Sequence, residues 1–139
     1  MALGLAANGA LRRLDLSRNA LTAAEAAPLC AVLSWNAALT RQLPDPARAA
    51  VNVHLRELVL DANALGAEGA VLVACIVGSS VALRVLRLGD NGVGDAGAAA
   101  LGDALALNPA LAELWLADNG ISDTGARGLA AGIRAGTAR

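Results

Sequence analysis

Leu55-Arg56-Glu57-Leu58-Val59-Leu60-Asp61-Ala62-Asn63 recurs 28 residues later as Leu83-Arg84-Val85-Leu86-Arg87-Leu88-Gly89-Asp90-Asn91. After another 28 it returns as Leu111-Ala112-Glu113-Leu114-Trp115-Leu116-Ala117-Asp118-Asn119. An earlier copy, Leu11-Arg12-Arg13-Leu14-Asp15-Leu16-Ser17-Arg18-Asn19, stands 44 residues before Leu55, one period plus 16 residues. Four copies of L-x-x-L-x-L-x-x-N-x-L in register make the repeat the organising fact of the chain. The L-x-L alternation predicts a short strand, its leucines pointing one way and the intervening residues the other. Asn19, Asn63, Asn91 and Asn119 then form a column where the chain turns out of the strand. An amide both donates and accepts, so a stacked column can satisfy turn groups that would otherwise be buried unpaired. The next apolar position (Leu21, Leu65, Val93, Ile121) re-enters the core.

The second half of each unit reads as a helix. Ala98, Leu101 and Leu105 fall at i, i+3 and i+7, and Ala70, Val73, Val77 and Ala126, Leu129, Ile133 repeat the stripe. Gly69, Gly97 and Gly125 at the helix starts are expected to let each helix lie close on its strand. Asn8, Asn36, Asn108 and Gly136, with Ser80 a weaker match, are residues tolerant of left-handed backbone and are expected to close the helices.

This 28-residue strand-plus-helix unit resembles the ribonuclease-inhibitor-like class of leucine-rich repeats. The resemblance covers residues 11 to 34 and 55 to 136. It implies an α/β solenoid, a right-handed βα horseshoe of about four and a half repeats, with parallel strands on the concave face and helices outside. One domain spans 1–139: a helix tail of a truncated repeat (1–10), repeat 1 (11–38), an inserted loop (39–54), and repeats 2 (55–82), 3 (83–110) and 4 (111–139). The insertion lies between two N-x-x-L junctions, Asn36-Ala37-Ala38-Leu39 and Asn52-Val53-His54-Leu55, and Pro44 and Pro46 disfavour helix within it. Trp35 beside it is expected to anchor the loop. Solenoids need polar caps, and neither end reads as one. Either more repeats flank the chain or it self-associates end to end.

Composition agrees with a thin, stacked core. Alanine and leucine supply 60 of the 139 positions, and Trp35 and Trp115 are the only aromatics. Hydrophobic residues at 56% and charged residues at 17% exclude a disordered arm. A net charge of -1, with every basic residue an arginine, argues against a nucleic-acid partner held by counterion release. No uncharged run exceeds the 15 residues of Gly69 to Leu83, short of the roughly 20 that span a bilayer. No signal peptide is legible at Met1-Ala2-Leu3-Gly4-Leu5, and two cysteines make no disulfide framework. A reducing, cytoplasmic setting without membrane contact is the expectation.

Apparent chemical motifs dissolve into the repeat. Gly92-Val93-Gly94-Asp95-Ala96-Gly97 has the G-x-G-x-x-G form, but the same frame reads Ala64-Leu65-Gly66-Ala67-Glu68-Gly69 one repeat earlier. Asp61-Ala62-Asn63-Ala64-Leu65-Gly66 starts like a calcium loop but carries Leu65 and Leu72 where oxygen ligands are needed. His54 reads as an exposed loop residue, Cys30 as packed and Cys75 as partly exposed. Asp61, Asp90, Asp118, Glu57 and Glu113 are expected to form solvated ladders with Arg12, Arg18, Arg56 and Arg84. No residue set supports catalysis, a cofactor or a metal.

What remains is a surface. The residues between the strand leucines face the concave side, in columns about 4.8 Å apart. The central column reads Asp15, Val59, Arg87, Trp115, with Arg13, Glu57, Val85, Glu113 on one side and Ser17, Asp61, Gly89, Ala117 on the other. Interfaces are enriched in Trp and Arg, so Trp115 with Arg87 heads a protein-binding set of Arg13, Asp15, Glu57, Val59, Asp61, Arg87, Glu113 and Trp115. Such repeats occur in ribonuclease inhibitors, in the sensor regions of NLR immune receptors and in Ran GTPase-activating proteins. The resemblance therefore implies a non-catalytic protein-binding module, part of a larger NLR-like or ribonuclease-inhibitor-like protein. Its alternatives are a GTPase-activating regulator of a small GTPase and spacer repeats with no partner of their own.

Overall fold

The computed structural model describes residues 10–40 and 54–137. Strand and helix alternate: β1 (Arg13–Asp15), α1 (Ala23–Thr40), β2 (Glu57–Val59), α2 (Gly66–Ser79), β3 (Val85–Arg87), α3 (Gly94–Leu107), β4 (Glu113–Trp115) and α4 (Asp123–Thr137). The four strands form one parallel sheet in the order β1-β2-β3-β4. Register sets Arg13, Glu57, Val85 and Glu113 side by side, then Leu14, Leu58, Leu86 and Leu114, then Asp15, Val59, Arg87 and Trp115. Helices α1, α2 and α3 each lie between neighbouring parallel strands and α4 follows β4, which makes the architecture an α/β solenoid.

The core lies between sheet and helices. Leu58, Leu86 and Leu88 meet Ala70, Val73, Val77 and Leu101, all wholly buried. Each buried leucine contributes about 1.5–3 kcal/mol. Cys30 packs into this core and Cys75 is exposed. Beyond the middle repeats the same pattern stays open: Leu14 and Leu114 are only partly buried, Ala126 is exposed and Ile133 is 53% exposed.

The helix-start glycines serve helix–helix contact rather than contact with the strand. A Cβ on Gly97 would sit 2.7 Å from the Ala70 Cβ of α2 and 2.7 Å from Val93 Cγ1. One on Gly125 would meet Asp95 Oδ1 at 2.6 Å. The limit is thus set by the previous helix and by the apolar residue that begins each helix. At the starts themselves, Glu25 in the first turn of α1 reaches back to Thr22, its Oε2 accepting from the Thr22 amide at 2.8 Å and from its hydroxyl. Ser122 Oγ accepts from the Thr124 amide at 3.1 Å. The equivalent residues in the middle repeats are Gly66 and Gly94, at φ 62° and 60°, which turn into the helix through left-handed backbone.

The helix ends differ from the left-handed closure expected of them. Ser80 (φ -76°, ψ 136°) and Asn108 (φ -96°, ψ 116°) are extended. They work through their side chains: Ser80 Oγ accepts from the Ala82 and Leu83 amides, and Asn108 Oδ1 from Ala110 and Leu111. Asn108 Nδ2 also donates to Val77 O and, at 2.9 Å, to Ser80 O, tying one repeat's turn to the previous one. Asn36 and Gly136 lie inside α1 and α4. Helix α1 runs through Leu39 and Thr40, past the start expected for the inserted loop, because no strand-forming pattern follows to stop it. His54 is half-buried rather than exposed, since it shares its repeat position with buried Ala110. The insertion at 41–53, the helix tail at 1–9 with Asn8, and the side chain of Trp35 lie outside the described residues.

Candidate interaction face

The turn after each strand positions the face. The residue before each asparagine of the column has left-handed backbone: Arg18, Ala62, Asp90 and Asp118, at φ 53–58°. That turn aims the amide along the stack. Asn119 Oδ1 accepts from the Asn91 and Val93 amides at 3.0 and 3.2 Å, while its Nδ2 donates to Leu88, Leu116 and Ala117 carbonyls at 2.8–3.1 Å. Asn63 does the same for Asn19 and Leu21 at 3.0 and 2.9 Å, with Nδ2 on Leu16 and Leu60 carbonyls. Asn91 Nδ2 reaches the Leu60, Leu88 and Gly89 carbonyls at 2.9–3.1 Å, but its buried Oδ1 has no partner among the described residues. The main-chain link beside it is the same in both repeats, with the Gly66 amide on Asn91 O and the Gly94 amide on Asn119 O, each at 2.9 Å. Asn19, in the first repeat, is exposed, and its side chain donates to Ser17 O at 3.0 Å.

Two charged groups occupy the strand face. The first is centred on Arg13, which pairs with Glu57 across the register and with Asp15 at 3.0 Å. Asp15 also accepts from the Ser17 hydroxyl (2.6 Å) and amide (3.1 Å), which with Arg13 hold its carboxyl below the usual range. Glu57 and Asp15 in turn raise the Arg13 pKa. The second is a chain through Asp61, Arg87, Trp115 and Glu113. Asp61 Oδ2 accepts from Arg87 Nε at 3.0 Å and its Oδ1 from the Gly89 amide at 2.7 Å. Arg87 Cζ then lies 4.9 Å from the centroid of the Trp115 ring, and Trp115 Nε1 donates to Glu113 Oε2 at 3.3 Å. Trp115 nonetheless keeps 50% of its surface exposed. An aromatic face is thus oriented from below by a cation that a carboxylate fixes.

The carboxylates of this face pair with Arg13 and Arg87, not with Arg12, Arg18, Arg56 or Arg84. Alternation explains the difference: Arg12, Arg56 and Arg84 are one residue out of phase with the face that carries Glu57 and Asp15. Val59 is 4% exposed and forms floor rather than contact surface. Its register neighbours are Asp15 and Arg87. The Asp61–Arg87 link was the hardest to foresee, since it spans 26 residues, two short of the period. Glu25 and Asp95 were missed altogether as cap residues. Asp95 accepts from the Ser122 amide at 2.7 Å and hydroxyl at 2.6 Å, across to the next repeat. The signal available was acidic residues in the first turn of every helix.

Away from this face, the described cysteines divide between core and surface. Burial pushes the Cys30 thiol up to about 11, with Cys75 adding to the shift. Among the described residues no three His, Cys, Asp or Glu side chains gather to hold a metal, and no helix is long and apolar enough to cross a membrane.

The Leucine Rich repeat family matches residues 51–74, 81–102 and 108–130, each covering one strand, asparagine turn and helix start. The chain is a leucine-rich repeat protein. The leucine-rich repeats continue in the structure through the copy at 11–38, whose strand β1 pairs with β2 in the same register. Among solved structures, the tropomodulin C-terminal domain of Caenorhabditis elegans is similar at a TM-score of 0.61 with 12% identity. The likeness covers 99% of this chain and 92% of that one, and it concerns the fold. No curated protein matches the chain. Leucine-rich repeats as a family suggest a protein-interaction module.

Proposed function

We propose that this protein is a non-catalytic interaction module that binds a protein partner on its concave strand face. The observation that carries the reading is Trp115: half-exposed, stacked on Arg87, with Arg87 held by Asp61. Such a side chain adds nothing to the core. Pre-ordering its cation and carboxylate neighbours reduces the side-chain entropy lost on binding. Arg13, Asp15, Glu57 and Glu113 supply the polar rim around it, in the manner of larger ribonuclease-inhibitor-like or NLR-like proteins. A reducing cytoplasm suits two cysteines that stay free thiols.

The test is quantitative affinity capture with wild type, Trp115→Ala, Arg87→Ala and a control at exposed Val71 on α2. A genuine partner is lost about tenfold or more with Trp115→Ala, retained with Val71→Ala, and rebinds purified wild type. Capture that ignores Trp115 and Arg87 rejects the concave-face reading. Addition of the protein to a small GTPase separates the regulatory alternative, since a module that only binds leaves GTP hydrolysis at its basal rate.

A second use, self-association through the outer repeats, is favoured by an open recess of about 280 Å3 lined by Leu105, Leu111, Ala112, Glu113, Leu114 and Ile133. Sedimentation of wild type against Ile133→Asp tests it. A dimer or larger species that Ile133→Asp converts to monomer supports the idea, and a wild-type monomer at high concentration removes it.

A further inference from the structure

Arg12, Arg56 and Arg84 occupy one position of three consecutive repeats, just before the strand, and all three are exposed. Main-chain hydrogen bonds align them: the Arg56 amide donates to Arg12 O at 2.7 Å and the Arg84 amide to Arg56 O at 2.8 Å. The three side chains therefore leave the backbone one strand spacing apart, about 4.8 Å. Placing like charges this close costs Coulomb energy that a counter-charge normally relieves. Among the described residues no carboxylate supplies it. Of the strand-face carboxylates, Asp15 and Glu57 are engaged by Arg13, Asp61 by Arg87, and Glu113 accepts from Trp115 Nε1. Glu25, Glu68, Asp95 and Asp123 sit at the helix starts, the opposite edge of the stack. Among the described residues, Arg12, Arg56 and Arg84 thus line the strand-start edge while these four carboxylates line the helix-start edge.

We propose that Arg12, Arg56 and Arg84 form a docking strip for an extended acidic segment of a protein partner, separate from the Trp115 site. Guanidinium forks suit carboxylates, which accept two parallel N–H donors. The strip ends at Ala112, which takes the fourth repeat's position, so it offers three charges and no more. That matches a short acidic peptide. A nucleic-acid backbone, charged at every nucleotide, would be driven across Asp15 and Glu57 on the adjoining face. Arg84 has one internal contact, from its Nη1 to Ala110 O, which leaves the rest of its fork free.

The probe is a fluorescein-labelled octaglutamate peptide, followed by anisotropy at low ionic strength, with an oligothymidylate of equal charge beside it. Wild type is expected to bind octaglutamate more tightly than the oligonucleotide. Arg12→Gln/Arg56→Gln/Arg84→Gln should weaken peptide binding about tenfold, with each single change nearer threefold. Trp115→Ala should leave it unchanged, so this proposal and the concave-face reading fail separately. Should the triple variant lose its helical circular dichroism, Arg12→Gln/Arg56→Gln, which spares the Arg84–Ala110 bond, carries the test. Absence of peptide binding, equal or tighter oligonucleotide binding, or loss of melting temperature without loss of binding would each overturn the strip, the last by assigning the arginines to the helix ends.

Discussion

The two middle repeats and the two outer ones are built from nearly the same residues, yet they sit in different environments. Leu58 and Leu86 are wholly buried, while Leu14 and Leu114, at the same position, are only partly covered. The asparagine column follows its own gradient: Asn19, with no described repeat before it, is open to solvent and Asn63 is half-buried, while Asn91 and Asn119, 3% and 4% exposed, reach back onto the preceding repeat. In a solenoid each repeat touches only its neighbours, so burial belongs to the junction between units and not to the unit. An identical leucine contributes fully only with a repeat on both sides.

The leucines offer the largest effect. Leu86→Ala should cost about 3–5 kcal/mol, as full truncations in packed cores do. Leu114→Ala should cost roughly half of that, because its site is already part-open and can collapse or hydrate. Urea unfolding of both variants checks the ratio; equal losses would mean that the outer repeat is as well packed as the middle.

The asparagine column makes a second contrast, about one step smaller. Asn119→Ala would strand two buried amides and withdraw a donor from three carbonyls. Unpaired buried groups cost about 1–3 kcal/mol each, partly relieved by water, so a loss near 3 kcal/mol is expected. Asn19→Ala removes one exposed bond and should cost under about 1 kcal/mol. Hydrogen exchange at the Asn91 and Val93 amides should accelerate in the first variant and stay slow in the second.

Helix spacing reverses the sign. A Cβ on Gly102 in α3 would lie 2.6 Å from Gly128 O of α4, so Gly102→Ala forces those helices apart, at about 1–3 kcal/mol. At Gly78 in α2 the nearest atom is Ala104 Cβ at 3.8 Å, ordinary contact. Gly78→Ala should therefore stabilise by about 0.5–1 kcal/mol through lower unfolded-chain entropy. Melting temperatures moving in opposite directions would confirm that α3 and α4 approach backbone to backbone while α2 and α3 do not.

Much of this was legible in the letters. The period placed the strands, the asparagine turns and the helix faces, because each is a local pattern with a fixed physical period. Register then put Trp115 beside Arg87. Three things were not legible, and all are contacts between repeats. Gly97 reads as a small residue, but only the stacked structure says that Ala70 of the preceding helix is what it makes room for. Val59 reads as a face residue by alternation, but in the stacked sheet only 4% of it stays exposed, which makes it floor. Ion pairing by Arg13 and Arg87, rather than by the more numerous Arg12, Arg56 and Arg84, depends on a half-period of side-chain direction that composition cannot supply.

The carboxylate caps give the smallest and most localised contrast. Glu25 closes α1 within its own repeat, through Thr22, whereas Asp95 reaches across to Ser122 and joins the third repeat to the fourth. In both, the bonds from hydroxyl and amide hold the carboxyl below its usual value, 4.5 for Glu25 and 3.8 for Asp95. A carboxyl depressed by folding stabilises the native state above its unfolded-state value, and that contribution disappears as pH falls through the folded one. Acidification from pH 6 towards pH 2 should therefore lower the melting temperature. Asp95→Asn, which keeps an acceptor for the Ser122 amide but does not titrate, should start lower at pH 6 and flatten part of that decline. Because Asp95 bridges repeats, its loss should speed hydrogen exchange at the start of α4, while Glu25→Gln should act at the start of α1 alone. If both changes act only within their own helix, then Asp95 is a local cap, and the last repeat is held by its glycine-to-glycine helix contact instead.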